Sequence, residues 1–253
     1  SSYRVWRRNS VAPMSCRRPP VAAAESEYTS GELDSFKKSG RKFDPVKGRF
    51  LPFPGISVVC DVPGSGEPPL SQIPELLLSL PTLSKVFLPL PPESYHVTTL
   101  DIACKYSPLH EDAAWESLLR DPRWAVAAGA LAEAKVMPRL RLKKLYTSPQ
   151  TSLIAELEAA DAGTAEHPSG LPVNARLVES LGLESNQKHP WHMTIAYCHK
   201  SEELDETSEE YEAERTAVEA ALRSALPDEV PLDVAKLCRF PDMGAFIPWD
   251  GAL

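Results

Sequence analysis

No run of apolar residues in this chain approaches the roughly 18 needed to cross a bilayer, so no membrane-spanning segment is expected. Cysteine is sparse. The five (Cys16, Cys60, Cys104, Cys198 and Cys238) are odd in number and show no CxxC spacing, which argues against a disulfide framework or a zinc site and for a reducing compartment. Positive charge is short as well: the net charge is −8, which argues against a general grip on nucleic-acid backbones and leaves room only for a local basic cleft. Acids are missing from the first 24 residues, which carry Arg4, Arg7, Arg8, Arg17 and Arg18. That segment reads as an organelle (mitochondrial or plastid) transit segment or, equally, as a disordered leader. The expected setting is intracellular and cytoplasmic, with the organelle as the variant the leader allows.

What is present is ordinary for a globular protein: 253 residues, 43% hydrophobic and 25% charged, enough for one large domain or two small lobes. Proline is plentiful and concentrated in connections such as Pro63 to Pro69 and Pro89 to Pro92, which read as stiff loops. Residues 1–40 are set aside as a disordered or targeting leader, and 41–253 as the two-lobed folded part.

One short pattern occurs twice, as Tyr95-His96-Val97-Thr98 and as Trp191-His192-Met193-Thr194. Each copy sits in a strand-like run. Side chains alternate along a strand, so His96 projects with Thr98 and His192 with Thr194. In the second copy Trp191, Met193, Ile195 and Tyr197 would share a face beneath helices, opposite His192, Thr194, Ala196 and Cys198. In the first, Tyr95, Val97 and Thr99 oppose Ser94, His96 and Thr98.

The order of elements repeats around these motifs. An arm through Phe43-Asp44-Pro45 and Phe50 to Gly55 leads to a strand over Ile56 to Val62, then a short helix over Leu70 to Leu80 with Pro74 in its first turn. The first His-x-Thr strand (Ser94 to Asp101), a helix over Asp112 to Ala134 and a strand over Arg139 to Thr147 follow. The second half gives Thr151 to Glu158, a short helix over Pro172 to Leu181, the second motif strand (Pro190 to Cys198), an acidic helix over Glu202 to Leu226 and a last strand over Val230 to Phe240. The histidines stand 96 residues apart at equivalent places. A pseudo-twofold axis between the motif strands would bring both imidazoles and both hydroxyls to one point. One imidazole would then take a proton from water while the other gives one to a leaving oxygen, and the threonines would hold the non-bridging phosphate oxygens.

With these residues the chain resembles the two-histidine (2H) phosphoesterase superfamily, whose signature is a pair of His-x-Thr/Ser-x motifs; here they are His96-Val97-Thr98-Thr99 and His192-Met193-Thr194-Ile195. Phe43-Asp44-Pro45, Gly48-Arg49-Phe50, Pro52-Phe53-Pro54-Gly55, Ser94-Tyr95-His96 and Cys238-Arg239-Phe240-Pro241-Asp242-Met243 look like one poorly characterised branch. The resemblance spans about residues 41 to 248. It implies an α/β (α+β) bilobal, pseudo-symmetric fold, with two antiparallel-rich sheets flanking a central cleft and helices outside. It also implies metal-independent cleavage of cyclic (2′,3′-type) or 2′-5′ phosphodiesters of nucleotides or RNA ends. Val97 stands where the branch has Met or Ile, and Thr99-Leu100-Asp101 where it often has bulkier residues.

Other features weigh less. His189 and His192 fall on opposite strand faces, so joint ligation of a metal is not expected. Gly64-Ser65-Gly66 is too short for a phosphate loop. The acid-rich stretch Glu202 to Glu214 reads as a solvated helix face more readily than as a dock for a basic partner. The run Arg139, Arg141, Lys143, Lys144 reads equally as a groove for RNA phosphates and as an exposed edge. Arg49, Phe53, Tyr197 and Phe246 are candidates for stacking on a base or gripping phosphate.

The expectation is therefore a phosphoric diester hydrolase with His96 and His192 as acid and base and Thr98 and Thr194 as phosphate clamps. It needs no cofactor and no metal, and acts as a monomer on a nucleotide or RNA-end substrate bearing a cyclic phosphate, with no membrane and no stable protein partner. The alternative is a nucleotide-binding module of the same fold with little or no turnover; a third reading is a protein scaffold.

Overall fold

The computed structural model describes residues 27–39, 41–44, 46–106, 111–135, 137–148, 152–166, 177, 179, 191–200 and 203–249. Helix α1 (Ser30–Ser39) lies in the stretch set aside as leader and has its own signals. Thr29 and Glu32 cap each other reciprocally: the Glu32 amide donates to Thr29 Oγ1 at 3.3 Å, and the Thr29 amide donates to the Glu32 carboxylate at 2.8 Å. Lys37 and Lys38 complement the dipole in its last turn. A two-stranded ribbon follows, β1 (Phe43–Asp44) and β2 (Arg49–Phe50), turned by Gly48 at φ +65° and by Asp44, whose carboxylate accepts from the Val46 and Lys47 amides.

β3 (Gly55–Asp61) is buried along its length apart from Asp61. A 3-10 turn leads into α2 (Ile73–Ser79), with Pro74 in the first turn as expected, then α3 (Leu83–Val86) and β4 (Phe87–Pro89). β5 (His96–Cys104) carries the first motif. The single helix expected over Asp112 to Ala134 is two, α4 (Asp112–Leu119) and α5 (Arg123–Ala134). Asp121-Pro122 breaks it: proline offers no amide, and the Asp121 carboxylate caps the Arg123 amide at 2.9 Å instead.

β6 (Leu140–Ser148) and β7 (Ser152–Ala159) form a hairpin, followed by one turn of helix, α6 (Ala162–Ala165). The short helix expected over Pro172 to Leu181 lies outside the described residues except for Leu177 and Glu179, both helical. β8 (His192–Cys198) carries the second motif. The acidic helix α7 (Glu209–Ala225) starts later than Glu202, because Asp205 ties down Thr207 and Ser208 caps the Tyr211 amide. β9 (Lys236–Asp242) and β10 (Ala245–Pro248) end the chain's described fold.

Eight strands form one antiparallel sheet in the order β10-β9-β3-β5-β8-β7-β6, with β4 also on β8. Its two halves meet at one residue pair, Val97↔Met193, both fully buried. The order is a palindrome about that pair: each motif strand is flanked by the first strand of its own half and then by the last strand of the other half. β6 thus pairs with β7, and β9 with β3. The helices follow, α5 packing on β9 and α7 on β6. The expected bilobal antiparallel fold is present, and the exchange of outer strands is what closes it.

α7 covers the exposed edge of the sheet. Glu219 accepts from the Leu145 amide at 3.0 Å, Arg215 donates to the Leu145 carbonyl and Arg223 to the carbonyls of Leu142 and Lys143. From the same helix the buried Glu214 caps α3, accepting from the Thr82 and Leu83 amides at 3.0 and 2.8 Å. The acid-rich helix is therefore structural on this side, with Glu209 and Glu210 left exposed.

Candidate active site

A groove of about 330 Å³ opens over the junction of the two half-sheets. His96, Thr98, His192 and Thr194 all line it, together with Lys42, Phe53, Ser57, Asp101, Tyr197, Phe240, Met243 and Phe246. Alternation explains the first four. The neighbours that point the other way, Val97 and Met193, are sealed in the core, and Tyr95 and Trp191 anchor the strands as buried rings.

Beyond the threonines the alternation expected from sequence fails, in the same way twice. The β3–β5 register passes from Val59↔Thr98 to Val58↔Leu100, skipping Thr99; the β7–β8 register passes from Ile154↔Thr194 to Leu153↔Ala196, skipping Ile195. Each skip is a bulge that swings later side chains to the opposite face. Tyr197 therefore lines the groove with Thr194 while most of its ring stays buried against the core, and Ala196 takes the fully buried place on the other face. Asp101, at the equivalent place on β5, also enters the groove, where Ser57 Oγ donates to its carboxylate at 3.3 Å. Thr99 is buried and bonds the Val58 carbonyl.

Opposite each histidine stands a carboxylate. Asp61 is the cross-strand partner of His96, and Glu156 that of His192, which places each acid on its histidine's face of the sheet. Both acids hold lysine: Asp61 pairs with Lys236, and Glu156 with Lys143 at 2.6 Å and Lys144 at 3.5 Å.

His96 is oriented by the backbone. Its Nδ1 lies 2.7 Å from the Ser94 carbonyl oxygen, which can only accept, so Nδ1 carries the proton and Nε2 holds the lone pair when the ring is neutral. Phe246 packs on the imidazole with ring centroids 3.9 Å apart. Burial pushes the His96 pKa below its ordinary value; the Ser94 carbonyl and the charges of Asp61 and Asp101 oppose this, and His192 adds to it.

Of the further candidates, Phe53, Tyr197 and Phe246 line the groove, and Arg49 does not: it lies on β2 and is ion-paired with Glu27. Lys42 was missed. Its ammonium sits between two rings, 5.3 Å from the centroid of Phe53 and 5.6 Å from that of Tyr197. Local pattern marks no such residue, because the path of the arm decides where it points. Phe240 and Met243 were within reach, since both stand in the C-terminal segment that carried the family resemblance. The run Arg139, Arg141, Lys143, Lys144 is taken up by Glu229 and Asp161, by Glu158 and by Glu156, as an ion-paired sheet edge. Among the described residues no group of three His, Cys, Asp or Glu is placed to hold a metal ion, and no helix is long and apolar enough to cross a membrane.

Comparison with known proteins supports the fold and the motif reading. Residues 42–153, which hold the first motif and stop short of the second, match a family model described as 2H-phosphodiest, domain of unknown function (DUF1868). The structure is similar to that of the conserved protein of unknown function ATU0111 from Agrobacterium tumefaciens strain C58, at 18% identity and a TM-score of 0.52, over 87% of this chain and 98% of that one. At that identity the likeness speaks for the fold. No curated protein matches the sequence. The family match supports a function of phosphoesterase type, and the chain is thus similar to the two-histidine phosphoesterases, through a branch of them whose activity is uncharacterised.

Proposed function

We propose that the groove hydrolyses a cyclic (2′,3′-type) or 2′-5′ phosphodiester of a nucleotide or an RNA end, by acid-base catalysis between two histidines. The observation that carries this reading is the convergence of both His-x-Thr pairs, from two equivalent strands, on one groove. In the cyclic case Nε2 of His96 takes a proton from water as the water oxygen attacks phosphorus. The bond from phosphorus to the 2′ or 3′ oxygen breaks, and His192 gives that oxygen its proton. Atoms balance: water and cyclic diester become a phosphomonoester and a free hydroxyl, and the histidines end with their protons exchanged. The lowered pKa of His96 favours it as the base, since its ring is then neutral at neutral pH. The hydroxyls of Thr98 and Thr194 donate to the non-bridging oxygens, where charge gathers in the transition state.

The test is hydrolysis of the four 2′,3′-cyclic nucleotides in excess EDTA by the wild type, His96→Ala and His192→Ala. Turnover that survives chelation and falls by about 10²–10⁴ in each variant is the expected result. Absence of turnover alongside tight nucleotide binding would replace this reading with that of a binding module.

A further inference from the structure

Unpaired positive charge gathers beside the groove on one short stretch. In a chain of net charge −8, residues 37–49 carry Lys37, Lys38, Arg41, Lys42, Lys47 and Arg49 against one acid, Asp44. Two of these are committed to structure: Arg49 pairs with Glu27, and Lys47 donates to the Glu27 carbonyl over the ring of Tyr28. The other four have no ion-pair partner among the described residues, whereas the basic run on β6 is paired throughout.

Three of them, Lys42, Lys37 and Arg41, form a path with aromatic rings between them. Lys42 and Phe53 line the groove. The ring of Phe53 meets that of Tyr106 edge to face, at 6.2 Å between centroids. Tyr106 in turn has Lys37 5.2 Å from its centroid, and it shares a crevice with Lys37 and Arg41. Asp112, whose carboxyl also feels Lys37, is held by Lys105 at 2.8 Å. A row of cations interleaved with rings is the surface that follows a single-stranded nucleic acid, the cations tracking phosphates.

We propose that this arm is the track for a single-stranded oligonucleotide, so that the substrate is the end of a strand rather than a free mononucleotide. The inference rests on the phosphodiesterase reading for its chemistry, while the track itself is a binding surface. The strand's terminal cyclic phosphate sits in the groove, and the preceding phosphates pass Lys42 toward Lys37 and Arg41.

Two measurements separate this proposal from the activity on which it rests. The first is kcat/KM for substrates of one to five nucleotides ending in a 2′,3′-cyclic phosphate. The second is fluorescence anisotropy of the same strands ending in an open 3′-phosphate, which reads binding without turnover. Wild type should gain about tenfold with length, with a salt slope near −2 for three engaged cations. In a Lys37→Ala/Arg41→Ala double variant the ratio of long to short should fall toward one, while Arg141→Ala, on the paired edge, keeps it. Turnover with no length effect would overturn the track and leave the activity standing. Length-dependent binding without turnover would do the reverse. A poly-glutamate peptide that binds as well as the strand at equal charge would also overturn it, by making the arm a general acid-binding surface.

Discussion

At the scale of single residues, four side chains from two strands meet in one groove because alternation decides which way each one points. His96, Thr98, His192 and Thr194 follow from a period of two and converge accordingly. Asp101 and the placement of Tyr197 were hidden, because the residue skipped directly after each motif threonine reverses the period and no residue type announces it. Lys42 and Arg49 show the other limit. Both are basic residues of one arm; the first turns into the groove and the second out to Glu27, and only the folded path separates them. The sharpest test at this scale is the clamp. Thr98→Val removes one hydroxyl donor and should lower kcat by about 10²-fold with KM little changed, while Thr98→Ser should keep most of the rate. Equal rates for wild type and Thr98→Val would remove Thr98 from the mechanism.

At the scale of elements, pairing across strands adds what neither motif contains. Asp61 faces His96 from β3, Asp101 from the same strand and His192 from β8, with Lys236 balancing Asp61 from β9. A negative charge near an imidazole favours its protonated form. Asp61→Asn should therefore lower the His96 pKa further and move the acid limb of the pH–rate profile to lower pH. Lys236→Met leaves Asp61 uncompensated and should move the same limb up. General damage to the fold would lower rates without moving the limb in opposite directions, and a limb fixed in both variants would break the link between Asp61 and His96. The elements themselves were mostly readable, since periodicity marks a strand or helix locally. The break at Asp121-Pro122 had a visible signal, whereas α1 sat in a polar stretch where only its capping pair betrays it.

At the scale of the whole molecule, the repeat of element order was visible in the sequence, but the pairings that join β3 to β5 and β9, and β8 to β5 and β7, were not, because those partners lie far apart in the chain. β6 and β9 each complete the sheet of the opposite half. Two polypeptides, 1–149 and 150–253, should each lack cooperative thermal unfolding alone and regain it when mixed, as circular dichroism would show. Cooperative melting of either piece by itself would contradict this.

That exchange has a meaning for the chemistry. Two identical chains trading their last strands would make the same palindromic sheet, with a true symmetry axis through the groove. Both histidines would then have identical surroundings, and neither could specialise as acid or base. Joining the copies in one polypeptide removes that constraint. Asp101 stands where the other half has Tyr197, and one lysine balances Asp61 where two balance Glu156. A single chain can place different side chains in its two halves, and here the difference reaches the groove itself.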